Sequence, residues 1–291
     1  MIRLIGILVG LGFAFVVLLT FAIGFYTWST EESTETAEHA FHQEAIAPDG
    51  GFAFDGPLGN WDIAQLQRGY QVYKEVCAAC HSLNYVAFRN LGDLAYSEAQ
   101  VKAEAESWMV PGINPDTGEA AMRAATPVDY FPSPYPNAVA AAAANNNAIP
   151  PDLSLMTKAR PNGSNYVYSL LTGYDDAATY TNEDGHRFAE QFPDSMPGTG
   201  LYFNPYFANL NIAMAPPLTT AGQVTYADGT EATVDQMSAD VAAFLTWTAE
   251  PKMIARKQTG WWVLAFTLFA TILAWFAKKQ VWAAVKPKRE D

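Results

Sequence analysis

Two long apolar runs bracket a chain whose middle is divided into short amphipathic pieces. Leu4 to Thr30 carries no charge, and Gln258 to Ala277 is a second uncharged run of 20 residues. At about 1.5 Å rise per residue the second run is roughly 30 Å long, the thickness of a bilayer core. Trp261, Trp262 and Trp275 stand near its ends, where interfacial rings belong, and Lys278, Lys279, Lys286, Lys288 and Arg289 follow. The pattern predicts a transmembrane anchor over 258–277 and a basic tail over 278–291 on the cytoplasmic side. The N-terminal run over 1–30 exceeds the about 7–15 residues of a signal-peptide core, and no Ala-x-Ala follows it. It is predicted to be a retained transmembrane helix, with a cleaved signal peptide as the alternative. Either way Glu31 onward is exported.

Between these runs the periodicity is helical where it is regular. Residues 31–60 are acidic and then rich in Gly and Pro, and read as a linker. Asp62 is placed to cap a helix through Ile63, Leu66, Tyr70 and Tyr73 into Cys77. Residues 98–107 predict a helix, and Ala138–Ala144 a short alanine-rich one ended by three asparagines. The six prolines and two glycines of 110–137 predict a long loop. Asp152 is a candidate cap for an element starting near Pro150. Asn165 to Thr172 predicts a helix with Tyr166, Val167, Leu170 and Leu171 on its apolar side, whereas 173–230 has little periodicity. Residues 234–249 form an amphipathic helix leading into the anchor. The expectation is a mostly α domain over 61–250 carrying long loop insertions.

Charge changes the picture by its distribution. Ser29 to Glu250 holds 8 Lys/Arg against 28 Asp/Glu, a net of −20, while Pro251 onward has 8 against 2. A strongly acidic domain excludes nucleic acid as a partner. It suits a basic protein carrier steered by its field. Asp175-Asp176, Glu183-Asp184 and the 31–44 cluster are the candidate acidic segments.

Both cysteines of the chain fall in Cys77-Ala78-Ala79-Cys80-His81. Two thiols three apart with histidine next are the pattern of covalent haem c attachment: each thiol binds one porphyrin vinyl group, and the imidazole takes one axial position on iron. A structural zinc site needs four Cys or His ligands, and the other histidines, His39, His42 and His186, form no second cluster. A redox dithiol belongs beside a βαβ pattern, which is missing here. For the sixth ligand, Met196-Pro197-Gly198 and Met214-Ala215-Pro216-Pro217 fit equally, a methionine beside proline well downstream. His186 in a polar Gly-His-Arg loop reads as a solvated histidine. An open sixth site would instead indicate a haem enzyme.

Several ordered blocks carry a resemblance. They are Arg68 to Val76, Asp129-Tyr130-Phe131-Pro132, Pro134-Tyr135-Pro136-Asn137, Asn145-Asn146 with Pro150 to Ser154, Tyr166 to Tyr174, Leu201 to Phe207 and Ile212 to Leu218. Over roughly 50–290 the chain resembles the cytochrome c1 family, the haem subunits of the ubiquinol–cytochrome c reductase (bc1) complex. The resemblance implies a class I-like c-type cytochrome domain and Met214, not Met196, as the axial partner of His81. It implies Arg160 as the haem propionate partner, and Asn145, Pro151, Tyr166, Leu170 and Phe207 as pocket positions. It further implies one-electron transfer from a Rieske iron–sulfur protein to a soluble or tethered cytochrome c. The setting would be a dimeric complex with cytochrome b in a bacterial inner membrane, the haem domain periplasmic. With two cysteines, the extra disulfide of some bacterial members cannot form.

Overall fold

Asp62 accepts a hydrogen bond from the Gln65 amide at 3.1 Å and starts a helix at Ile63. That helix sets the frame of the domain. A computed structural model describes residues 2–30 and 35–285. In chain order its helices are α1 (Ile2–Thr30), α2 (Ala37–Phe41), α3 (Ile63–Glu75), α4 (Glu98–Glu106), α5 (Ala138–Ala144), α6 (Met156–Ala159), α7 (Gly163–Thr172), α8 (Phe188–Gln191), α9 (Val234–Ala249) and α10 (Met253–Ala283). The strands are β1 (Met109–Ile113), β2 (Ala120–Ala124), β3 (Tyr202–Phe203) and β4 (Asn211–Ile212). The mostly α expectation holds.

The described residues form two compact units, one ending at Ala40 and one beginning at Phe41. In the first, α1 is apolar on all sides and long enough to cross a membrane. Its hydroxyls turn back onto its own carbonyls, as Thr20 does to Val16 and Thr27 to Ile23, both at 3.0 Å. Such bonds satisfy polar groups without water.

The second unit is organised by α3 crossing α9. Gly69 makes the close approach possible, because a Cβ there would lie 2.0 Å from the Asp240 carbonyl oxygen and 2.7 Å from Phe244 Cβ. Beside it the fully buried Asp240 carboxylate accepts from Arg68 Nε at 2.9 Å, Arg68 Nη2 at 3.2 Å and Gln236 Nε2 at 2.8 Å. A buried charge is tolerated here because both its oxygens are paired. Tyr70, Tyr73, Phe88, Phe131 and Phe244 fill the core around the crossing. Tyr70 Oη, Trp108 Nε1 and Lys74 Nζ all donate to the Glu104 carboxylate. Burial pushes that carboxyl up, but the three donors outweigh it and hold its pKa below the ordinary value.

α10 starts five residues before the uncharged run predicted as the anchor. Arg256 donates to Glu250, and Lys257 Nζ caps the carbonyls of Phe54 and Gly56 at 2.6 and 2.7 Å. Charges so paired extend the helix back to the domain surface. α10 is also long and apolar enough to cross a membrane. Lys286, Lys288 and Arg289 of the basic tail, and residues 31–34 of the acidic stretch, lie outside the described residues.

Three expectations change. Residues 41–60 do not run free: Phe41 packs edge-on to Phe188, Ile46 exchanges hydrogen bonds with the Ser169 hydroxyl, and Phe52 and Phe54 stack in the core. Their apolar residues are separated by Gly and Pro, so burial leaves no period to read. Part of the 110–137 loop is a hairpin, with Ile113 opposite Ala120 and Met109 opposite Ala124. Gly118 at φ +72° and Asn114 close its turn, and a two-stranded ribbon has two edges, so Pro111 is accommodated. Asp152 caps no helix. Its carboxylate receives Ser82 Oγ, the Asn84 amide and the Ser154 amide instead.

Gly69→Ala should destabilise the protein by about 1–3 kcal/mol through overpacking, read as a lower Tm of the full chain in detergent. A Tm equal to wild type would show that the crossing is not tight. Glu104 titrates at lower pH folded than unfolded, so the unfolded chain binds more protons across that window and stability falls as pH drops through it. Glu104→Gln should therefore cost about 1–3 kcal/mol at neutral pH and little below the folded pKa. A Tm difference independent of pH would contradict this.

Candidate haem-binding site

α3 stops at Glu75, and the chain tightens into a 3₁₀ turn over Cys77–Ala79. One helical bond survives, from the His81 amide to the Cys77 carbonyl at 2.9 Å, so thiol and imidazole stay one turn apart. The two thiols are free rather than joined. Burial pushes the Cys77 thiol up to about 12, with Cys80 adding to the shift. Tyr135 Oη donates to Cys80 Sγ at 3.7 Å.

The imidazole is oriented from two sides. Tyr73 Oη donates to the His81 carbonyl at 3.1 Å. His81 Nδ1 lies 2.8 Å from the Pro151 carbonyl, which only accepts, so Nδ1 carries the proton and Nε2 keeps its lone pair. Burial lowers the imidazole pKa and favours this neutral form. Pro151 is itself fixed because Asp152 ties down Ser82, Asn84 and Ser154, and the Leu153 amide donates to Ser82 O at 2.9 Å. The carbonyl that orients a ligand's second nitrogen is a recurring device of metal-binding histidines.

α7 carries two of the candidate pocket positions. Val167, Tyr168, Ser169 and Leu171 are buried, while Tyr166 and Leu170, four apart, stay half-buried. Cys77, Tyr166 and Met214 all fringe the same hydrophobic core. Burial pushes the Tyr166 phenol up, and the positive charge of the nearby Arg160 works against it. The exposed Arg160 makes no ion pair with a carboxylate among the described residues. A lone guanidinium beside a tyrosine fits a group carrying carboxylates of its own.

Met214 follows β4, half-buried, and its carbonyl accepts from Tyr174 Oη at 3.0 Å. Burial pushes the Tyr174 phenol far above its ordinary value, so it remains a donor. Met196 is half-buried after a 3₁₀ turn and is not part of that core fringe. Phe207 sits half-buried in a turn closed by its amide on Asn204 O, and Asn204 Nδ2 reaches Leu170 O at 2.8 Å. Asn145 Nδ2 donates to Ala141 O at the end of α5, and shares no hydrogen bond with the other candidates among the described residues. His186 is exposed and bonded to Gln191.

The geometry thus brings Cys77 to His81, His81 to Pro151, Arg160 to Tyr166, and Leu170 to the Phe207 turn. Sequence reasoning missed Tyr73, Tyr135 and Tyr174, because a phenol at an apolar position gives no sign that its hydroxyl is used. The donor set fits haem c: two thiols, a neutral imidazole with Nε2 available, a soft thioether, and an unpaired guanidinium.

Residues 52–285 match the model of the Cytochrome C1 family. The chain is 46% identical over 244 residues to a cytochrome b/c1 of Bradyrhizobium diazoefficiens, covering 81% of this chain but 35% of that longer protein. It is 44% identical to a cytochrome c1 of Rhodospirillum rubrum, across 81% of this chain and 87% of that one. It is also 41% identical to the mitochondrial cytochrome c1-2 heme protein of Solanum tuberosum, across 91% and 95%. Thiol pair, oriented histidine and downstream methionine therefore sit in a sequence of one recognisable kind, and the chain belongs to the cytochrome c1 family.

Proposed function

We propose that this chain passes single electrons from a Rieske iron–sulfur protein to a cytochrome c, as the haem c subunit of a bc1 complex. The single observation that carries the reading is the His81–Pro151 hydrogen bond beside the free Cys77/Cys80 pair, within a chain of the cytochrome c1 family. Bound haem supplies a one-electron ferric–ferrous couple. Cys77 and Cys80 would hold it covalently, and His81 Nε2 and the Met214 thioether would bind its iron. A neutral thioether favours the reduced state and so raises the potential, as an electron acceptor in such a relay requires. Arg160 and Tyr166 would pair with its propionates, while Asn145, Pro151, Leu170 and Phe207 would exclude water from the site. No bond is made or broken in a substrate.

The same proposal places the haem domain in the periplasm of a bacterial inner membrane. Lys278 and Lys279 stand one to two turns before the C-terminal end of α10 and favour the cytoplasmic side. Cytochrome b is the membrane partner, in a dimeric complex. Asp175, Asp176, Glu183 and Asp184 are exposed on the segment that follows Tyr174. These carboxylates are candidates for the surface on which a basic carrier would dock.

Met214→Leu should keep haem attached through denaturing electrophoresis yet lower its midpoint potential by on the order of 0.1–0.3 V, within the roughly 0.8 V that axial ligands span. An unchanged potential would transfer the ligand role to Met196. Turnover with a basic cytochrome c should fall several-fold as salt rises above about 0.1 M, where the screening length is about 10 Å. Salt-independent turnover would remove the acidic segment from the docking surface.

A further inference from the structure

Met214 lies in no regular element, and a methionine side chain has three rotatable bonds. A weak thioether bond to iron therefore needs its backbone held by something else. β4 ends two residues earlier at Ile212, which pairs with Tyr202 of β3. Beyond Met214 the Ala-Pro-Pro segment has no ladder, and its far end is caught when Gln223 Nε2 donates to the Pro217 carbonyl at 2.7 Å. The near end is caught by one side chain, Tyr174, whose hydroxyl donates to the Met214 carbonyl at 3.0 Å.

Tyr174 comes from a rigid base. Gly173 ends α7 with no room for a side chain: a Cβ would lie 2.3 Å from Tyr206 Cδ2 and 2.6 Å from the Ser169 carbonyl. Asn204, fully buried, ties the same helix end to the β3–β4 turn. Its Nδ2 donates to Leu170 O at 2.8 Å, its Oδ1 accepts from the Tyr206 amide at 3.0 Å, and its amide donates to Leu210 O at 2.8 Å. The end of α7 therefore holds the methionine segment twice, through the turn before it and directly at Met214. The helix that bears the pocket candidates Tyr166 and Leu170 therefore also sets the position of the Met214 backbone.

We infer that Tyr174 is a positioning residue for the sixth ligand, holding Met214 so that its sulfur stays on the iron. The inference rests on Met214 being that ligand. The Tyr174 hydroxyl bonds the Met214 backbone carbonyl, not the sulfur. Without its hydroxyl the segment samples positions in which the thioether is displaced, and the sixth site opens to an added ligand.

The test is carbon monoxide binding to the ferrous full-length protein, with the charge-transfer band of the methionine–ferric iron bond as a second readout. In Tyr174→Phe, haem should remain covalently attached, the band should weaken, and apparent carbon monoxide affinity should rise roughly 3–10-fold, the effect of one lost hydrogen bond. Tyr202→Phe, which removes a nearby hydroxyl on β3, should match wild type. Wild-type carbon monoxide affinity and an unchanged band in Tyr174→Phe would overturn the inference. If Met214→Leu kept the band, the ligand assignment itself would have failed, so the two failures are distinguishable. Should Tyr174→Phe not accumulate with haem, 3-fluorotyrosine at position 174 keeps the ring and makes the hydroxyl a stronger donor. Carbon monoxide affinity should then fall below wild type, and an unchanged affinity would overturn the inference.

Discussion

The hydrogen bond from His81 Nδ1 to the Pro151 carbonyl joins two parts of the chain 70 residues apart, and the site depends on it. It fixes the tautomer, leaves Nε2 with its lone pair, and brings the segment leading to α6 and α7 against His81. Neither end of the bond is free to adjust. Tyr73, anchored in the core where α3 crosses α9, donates to the His81 carbonyl. Asp152 fixes the Pro151 side by taking three donors from Ser82, Asn84 and Ser154. The tight crossing at Gly69 thus reaches the functional site through one tyrosine and one proline carbonyl.

The second unit is continuous with a membrane-length helix. α9 is buried along nearly its whole length, and only three residues separate it from α10. Glu250 in that short break accepts from Lys158 of α6 and Arg256 of α10. Two residues beyond Lys158 lies Arg160, the propionate candidate. A bilayer-sized helix and the segment carrying Arg160 therefore share an ionic junction, and Lys257 on the carbonyls of Phe54 and Gly56 reinforces it.

Much of this was legible in the sequence where the signal is local. Asp62 precedes an apolar period and caps the helix there, as its position predicts; Ser97, Asn137 and Thr233 cap α4, α5 and α9 in the same way. Cys77, Cys80 and His81 declare their chemistry by spacing alone. What stayed hidden depends on long-range partners. Phe52 and Phe54 sit among Gly and Pro without any period, yet they are core residues. Asp152 has the side chain of a cap but meets donors from residues 82–84, across the fold. Tyr174 reads as one more apolar position after a helix, and only the fold brings its hydroxyl to Met214. For the same reason Met196 and Met214 were equal on local sequence, and resemblance alone separated them.

The most direct measurement is nuclear magnetic resonance of the ferrous protein labelled with ¹³C-methyl methionine. The chain has 8 methionines, and each resonance is assigned by single substitution. A methyl group bound to iron above the porphyrin is shifted far upfield by the ring current, away from all the others. The structure and family together predict one such shifted methyl, and that it belongs to Met214. A spectrum with all methyl groups unshifted, or with Met196 as the shifted one, would contradict the His81–Met214 pairing.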